Sequence, residues 1–186
     1  MVLITAVITG LLAGSLRAWI NKRRLTLPDL KIIWLVPVAY LPQWIAFQFP
    51  MTRKMIPDSW AGIALVGSQV LLLVFAWSNW RAPGFWMLGL GLVLNLLVIS
   101  LNGGLMPISP DTVAHLALKV PSGTWQVGNR LGTSKDIILS THDTHFWWLS
   151  DCLFLAILNH TIAFSIGDLF IGAGIIYFLW TLGRKP

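Results

Sequence analysis

Residues 84–101, GFWMLGLGLVLNLLVISL, form an apolar run that stops at Asn102, Gly103 and Gly104. A run of this length crosses a bilayer as a helix, and four further stretches share its character. The pattern predicts spans over about 2–20, 32–49, 60–78, 84–101 and 166–182. Asn21-Lys22-Arg23-Arg24 closes the first and Arg184-Lys185 the last. Pro37 and Pro42 lie inside the second, which predicts a kink or local break there. Residues 144–164, THFWWLSDCLFLAILNHTIAF, are long enough for a sixth span. They carry Asp151, Asn159 and His160, however, and abut the last span almost without a turn.

Charge bears on the choice. Lys22, Arg23, Arg24 and Lys31 mark the first loop as cytoplasmic, and five spans then place Arg184-Lys185 on the same side. The expectation is therefore an all-α integral membrane protein with about five transmembrane helices, N-terminus out and C-terminus in. Residues 144–164 become a re-entrant or interfacial helix on the outer side. This arrangement puts Arg53-Lys54 outside, against the charge rule. Residues 1–186 form one polytopic membrane domain, with 102–145 as its extracytoplasmic loop. Within that loop, Thr124 to Val127 and Asp136 to Leu139 flank a turn rich in Gly, Asn and Ser, which hints at a hairpin.

Composition agrees with this solvent. Hydrophobic residues make up 56% and charged residues 11% of the 186, far from the balance of a soluble domain. All seven acidic residues are Asp. The net charge of +6 invites a nucleic-acid reading. That reading is rejected, because the basic residues sit in short clusters beside apolar runs, where they set topology and meet anionic headgroups. Trp19, Trp34, Trp60, Trp77, Trp80, Trp86 and Trp180 lie near run ends, as interfacial anchors do. Cys152 is the single cysteine, so no internal disulfide and no Cys-based cluster can form. A buried inert thiol is preferred there over a nucleophile. The N-terminal MVLITAVITGLLAG lacks the basic leader of a secretory signal and reads as a retained first span.

Three segments in order, LNGGLMPIS at 101–109, WLSD at 148–151 and FSIGDLFIGAG at 164–174, resemble domain of unknown function 5317, a family of bacterial membrane proteins. The resemblance covers nearly the whole chain and implies a bacterial cytoplasmic-membrane location without implying an activity. This chain has Ser150 where the family tends to place a Gly, and CLFLAILNHTIA after Asp151 holds no Pro. The stretch FSIGDLFIGAG is also loosely similar to the last catalytic stretch of lipoprotein signal peptidase, where an Asp opens the final span. That similarity implies Asp151 and Asp168 as a catalytic pair, with Asn102 in the place of an upstream polar residue.

Each candidate has a plainer reading beside it. Two carboxylates sharing one site would push one pKa up, as an acid–base dyad requires. Yet Ser165-Ile-Gly-Asp168 has the spacing of a capping box, with its carboxylate at the positive end of a helix dipole. Asp151 is expected to bond the outer loop or to pair with a cation such as Arg130. Asn102-Gly103-Gly104 reads first as a helix C-cap, and second as a backbone approach to a ligand. Asn95 lies on the same helical face as Asn102. Together with Gln43 and Gln69 it suits helix-to-helix hydrogen bonding or a polar cavity. Gly89, Gly91, Gly167, Gly172 and Gly174 allow close helix packing. His145 and His160, in apolar settings, are the candidate axial ligands for a haem or pigment. The spacing in HDTH at 142–145 is too common to argue for a metal, and none is assigned.

The function expected from the residues is a structural or accessory membrane subunit, packed against the bilayer and other membrane subunits, with no nucleic-acid partner. The rival is an aspartic membrane hydrolase using Asp151 and Asp168; a pigment or haem carrier comes third. Transport is disfavoured, since no duplicated half is visible and few charges lie within spans.

Overall fold

The computed structural model describes residues 2–22, 24–116, 125–157 and 160–182. Five apolar helical segments make up most of it. They are α1 (Val2–Ile20), α2 (Leu35–Gln43) with a π-helical extension over Trp44–Gln48, α3 (Asp58–Ser78), α4 (Phe85–Leu101) and α6 (Ile166–Thr181). α1 and α3 are long and apolar enough to cross a membrane, and α4 and α6 are shorter apolar helices. The π-helical turn begins two residues after Pro42, where the proline ring and its missing N–H disturb the regular ladder.

α6 is the central helix, packed between α1 and α4, while α3 packs against α2 and α4. Close contact comes from glycine. A Cβ on Gly14 of α1 would fall 2.3 Å from the Leu179 carbonyl, and one on Gly91 of α4 would fall 2.4 Å from that of Gly167. Small residues let the backbones meet and gain dispersion contacts where apolar surroundings supply little hydrophobic drive.

Two apolar clusters fill the helical part. One, around Leu65, Val98, Ile99, Met106 and Leu149, seals helices α3 and α4 against the loop. The other, around Leu35, Phe75, Phe85, Leu92 and Ile171, lies toward the opposite end.

The segment after α4 differs from the all-α expectation. β1 (Met106–Ile108) pairs in parallel with β2 (Asp136–Ile138), and the short α5 (Pro110–His115) follows β1. Residues 144–164 are neither a re-entrant nor an interfacial helix. They form a 3₁₀ turn over Trp147–Leu149 and then a hairpin of β3 (Leu153–Ile157) and β4 (His160–Phe164), registered from Leu153↔Phe164 to Ile157↔His160. Ser150 is extended, at ψ 179°, and the Asp151 N–H is tied to the Pro107 carbonyl of β1, so the backbone has left the helical region before the hairpin begins. The β-branched Ile157, Thr161 and Ile162 then suit a pleated pair.

The hairpin hinted at over 124–139 is also shifted. Arg130 bridges Ile137, and Gly128 and Asn129 exchange hydrogen bonds with Ile138. The return strand therefore passes through 128–130, and Thr124 lies outside the described residues. So do Asn159, Arg184 and Lys185, and the side chain of His160.

A polar nest at the loop end of the helices

α4 ends in a full C-cap. Asn102 Nδ2 donates to the Val98 carbonyl at 2.7 Å and to the His145 carbonyl at 3.0 Å, and its Oδ1 accepts from the His145 N–H at 2.9 Å. One amide thus closes its own helix and grips the backbone of the far loop. Gly103 follows at φ 81°, and the Gly104 N–H returns to the Ile99 carbonyl at 2.9 Å, the bond that marks a Schellman stop. A side chain at Gly103 would strain that backbone.

α6 begins in a capping box. Ser165 Oγ accepts from the Asp168 N–H at 3.0 Å, and the Asp168 carboxylate accepts from the Ser165 N–H at 3.5 Å. Asn95, from the middle of α4, completes the group. Its Nδ2 donates to Asp168 Oδ1 at 2.9 Å, and its Oδ1 accepts from Ser165 Oγ at 2.8 Å. Gly167 leaves the space for this amide, since a Cβ there would lie 2.0 Å from Asn95 Oδ1.

Asp151 sits beside this junction, 4% exposed. Its N–H donates to the Pro107 carbonyl at 3.2 Å, which ties it to β1. Its Oδ2 accepts from Lys135 Nζ at 2.7 Å, and the same ammonium lies 3.3 Å from Asp136 Oδ1. Asp151 Oδ1 is buried without a hydrogen-bond partner among the described residues.

Burial pushes the Asp151 carboxyl up to about 7. The Lys135 ammonium opposes the rise, while the carboxylates of Asp136 and Asp168 add to it. Burial also works against the charge on Lys135, but Asp151, Asp136 and Asp168 outweigh it and hold the proton on above the usual lysine range.

The structure therefore brings Asp151 and Asp168 within electrostatic reach of one another and gives each a separate partner. Lys135 takes Asp151, and Asn95 takes Asp168. No hydrogen bond joins the two carboxyls among the described residues.

Arg130 is not the partner of Asp151. Its guanidinium, 7% exposed, lies 3.4 Å from Asp58 Oδ1 and donates to the Arg53 carbonyl at 3.1 Å. That contact fastens the loop to the turn before α3 and places Arg53-Lys54 at the loop end. Lys135 and Asp136 were not singled out from the sequence. The available signal was scarcity, because Lys119, Arg130 and Lys135 are the only cations in residues 102–164.

The remaining candidates lie apart from the nest. The His145 side chain is exposed, although its backbone is held by Asn102. His160 enters β4, and its side chain lies outside what the structure describes. His142 sits 3.4 Å from Asp143, whose carboxyl is held below its usual value by the Ser140 hydroxyl and then by His142. Among the described residues no three metal-binding side chains cluster. Cys152 is half-buried rather than buried, and burial raises its thiol pKa.

Residues 28–180 match the family described as "Family of unknown function (DUF5317)". The chain belongs to DUF5317. An "Uncharacterized protein" of Thermotoga maritima is 36% identical over 72 residues, which span 39% of this chain and 42% of that relative. The match thus covers less than half of either protein. No solved structure matches. The nest draws on all three segments that resemble the family: Asn102 from the first, Asp151 from the second, and Ser165, Gly167 and Asp168 from the third.

Proposed function

We propose that this DUF5317 protein is a small polytopic membrane protein with five spans, N-terminus out and C-terminus in, serving as a structural or accessory subunit of a larger assembly in a bacterial cytoplasmic membrane. One observation carries the reading. The helices turn large apolar side chains outward, with Leu3, Ile4, Val7, Ile8, Leu11, Leu12 and Leu16 of α1 all exposed, while the polar groups at the loop end are spent on fastening the loop. Apolar surface on this scale needs lipid or protein to cover it.

The test has two parts. Alkaline extraction of native membranes should leave the chain in the pellet, and mild-detergent electrophoresis should show it migrating with stoichiometric subunits rather than at 20.7 kDa. Recovery in the soluble fraction, or a solitary chain in the mildest detergent, overturns the reading. Sidedness has a built-in reporter, because Cys152 is the chain's single thiol. A membrane-impermeant maleimide should label it in intact cells, at mildly alkaline pH given its raised pKa.

A second reading, an aspartic membrane hydrolase, is favoured by the unpartnered Oδ1 of Asp151 and its raised pKa beside Asp168. One carboxyl would act as acid while the other activates water against a peptide bond. Asp151→Asn and Asp168→Asn should then abolish turnover of a membrane-anchored peptide while folding is preserved. Turnover that survives both substitutions removes this reading.

A further inference from the structure

The opposite end of the bundle carries a second polar site, between the turn before α2 and the turn joining α3 to α4. Asn79, buried at the C-cap of α3, locks these turns together. Its Oδ1 accepts from the Lys31 N–H at 2.8 Å, and its Nδ2 donates to the Lys31 carbonyl at 3.0 Å and the Phe75 carbonyl at 2.9 Å. The two turns border a half-open cleft of about 410 Å³ lined by Asp29, Leu30, Lys31, Asn79, Trp80 and Arg81. Two exposed cations, Lys31 and Arg81, and one exposed carboxylate, Asp29, line it. Among the described residues neither Lys31 nor Arg81 has an acidic group within ion-pair distance, and Arg81 lies 5.4 Å from the Trp80 ring.

Apolar grooves border this cleft on two sides. One, of about 240 Å³, shares Trp80 with it and runs between α3 and α4 past Trp77, Trp86, Gly89 and Val93. The other, of about 340 Å³, shares Leu30 with it and runs past Ile33, Val36, Leu88 and Phe178. Phe85 lines both grooves and divides them. Its ring is held edge-on by Phe75 at 5.5 Å and Phe178 at 5.4 Å. A half-open cleft of net positive charge, bordered by two apolar grooves that share Phe85, matches an amphiphile with one anionic head and two hydrocarbon tails.

We propose that this end of the bundle binds one anionic diacyl phospholipid, with its phosphate between Lys31 and Arg81 and its chains in the grooves on either side of Phe85. The proposal rests on the membrane location proposed above. Basic side chains near a membrane surface each contribute roughly fivefold to anionic-lipid affinity, so the pair together contributes roughly thirtyfold.

The test uses the full chain. Alkaline extraction is read first. A soluble chain fails the membrane reading and this proposal together, whereas a membrane-retained chain isolates the lipid question. Delipidated protein in a neutral detergent is then titrated with phosphatidylglycerol or phosphatidylcholine, and bound lipid is counted by native mass spectrometry. One phosphatidylglycerol should bind, roughly thirtyfold tighter than phosphatidylcholine. Lys31→Gln with Arg81→Gln should erase that preference, weakening phosphatidylglycerol far more than phosphatidylcholine, whose phosphate meets the same cations but carries its own compensating choline.

Asp29→Asn should tighten phosphatidylglycerol several-fold, an independent readout should the double variant fail to fold. Gly89→Leu should weaken both lipids by narrowing one groove, because a Cβ at Gly89 meets only Ala76 Cβ, at 3.8 Å. Equal affinity for the two lipids, or phosphatidylglycerol binding indifferent to both sets of charge changes, overturns the proposal. Millimolar inorganic phosphate should not displace the lipid. If it does, the site takes free phosphate and the lipid assignment fails.

Discussion

Asn95 Nδ2 donates to Asp168 Oδ1 at 2.9 Å, joining the middle of α4 to the first turn of α6. The other end of the same amide accepts from Ser165, so the donor and acceptor sides of Asn95 both have partners inside the protein. A buried amide is costly when unsatisfied and specific when satisfied. The pair therefore adds a polar lock to the register that the close glycine contacts between the two helices already favour.

Gly167 should prove the least replaceable residue at this junction. Gly167→Ala drives a methyl group into Asn95 and should cost about 1–3 kcal/mol, read by thermal unfolding in detergent. Gly67→Ala is the contrast. A Cβ there meets nothing within 4 Å, and helix propensity should make the change neutral or stabilising by up to about 1 kcal/mol. Equal effects at the two positions would show that the close α4–α6 approach is not under the constraint described.

Asp168→Ala should lose the capping-box carboxylate and the acceptor for Asn95 together, at about 1–3 kcal/mol. Asp168→Asn keeps an acceptor for only one of the two bonds, since Asn95 and Ser165 use different carboxylate oxygens, and should cost less than the alanine variant. Unfolding midpoints that rank the two the other way would argue that the charge, rather than the hydrogen bonds, carries the position.

Asp151 gives stability a pH signature. Its folded pKa, about 7, lies above its ordinary value of 3.8, so the folded protein binds the proton more tightly than the unfolded chain does. This contribution is present in full below about pH 4 and is lost as pH rises through 7. Wild type should therefore lose more stability than Asp151→Asn between pH 5 and pH 8. Parallel profiles for the two proteins would refute the shift.

Lys135→Met strands the buried Asp151 carboxylate and should destabilise at pH 8, by less than the about 3–5 kcal/mol of a fully buried pair because the Lys135 side chain is 41% exposed and solvent screens it. The loss should shrink at pH 5, where Asp151 takes up a proton. Adding Asp151→Leu should recover most of the loss, since replacing both partners removes the buried charge altogether. A double variant no better than Lys135→Met would mean the pair is not coupled as the 2.7 Å contact implies.

The helices were legible because their signals are local. Continuous apolar runs give α1, α3, α4 and α6 within a few residues, and Pro42 announces the disturbance at Trp44–Gln48. The capping bonds of Asn102-Gly103-Gly104 and Ser165-Ile-Gly-Asp168 reach backbone groups no more than five residues away, so spacing alone exposes a stop and a start, while the second grip of Asn102, on His145, is invisible to it. Residues 153–164 carried no such signal. The segment is apolar almost throughout, and without alternating polarity neither helical nor strand period can be read from it.

Partner choice followed the same divide. A short-range bond is set by the covalent chain, which holds donor and acceptor near one another before folding begins. Asp151 had Arg130 and Lys135 at comparable separations along the chain. The parallel pairing of β1 with β2 put Lys135 against it and sent Arg130 to Asp58. Asn95 and Asp168, 73 residues apart, meet because glycines let α4 and α6 approach, a consequence of packing between helices rather than of spacing along either one.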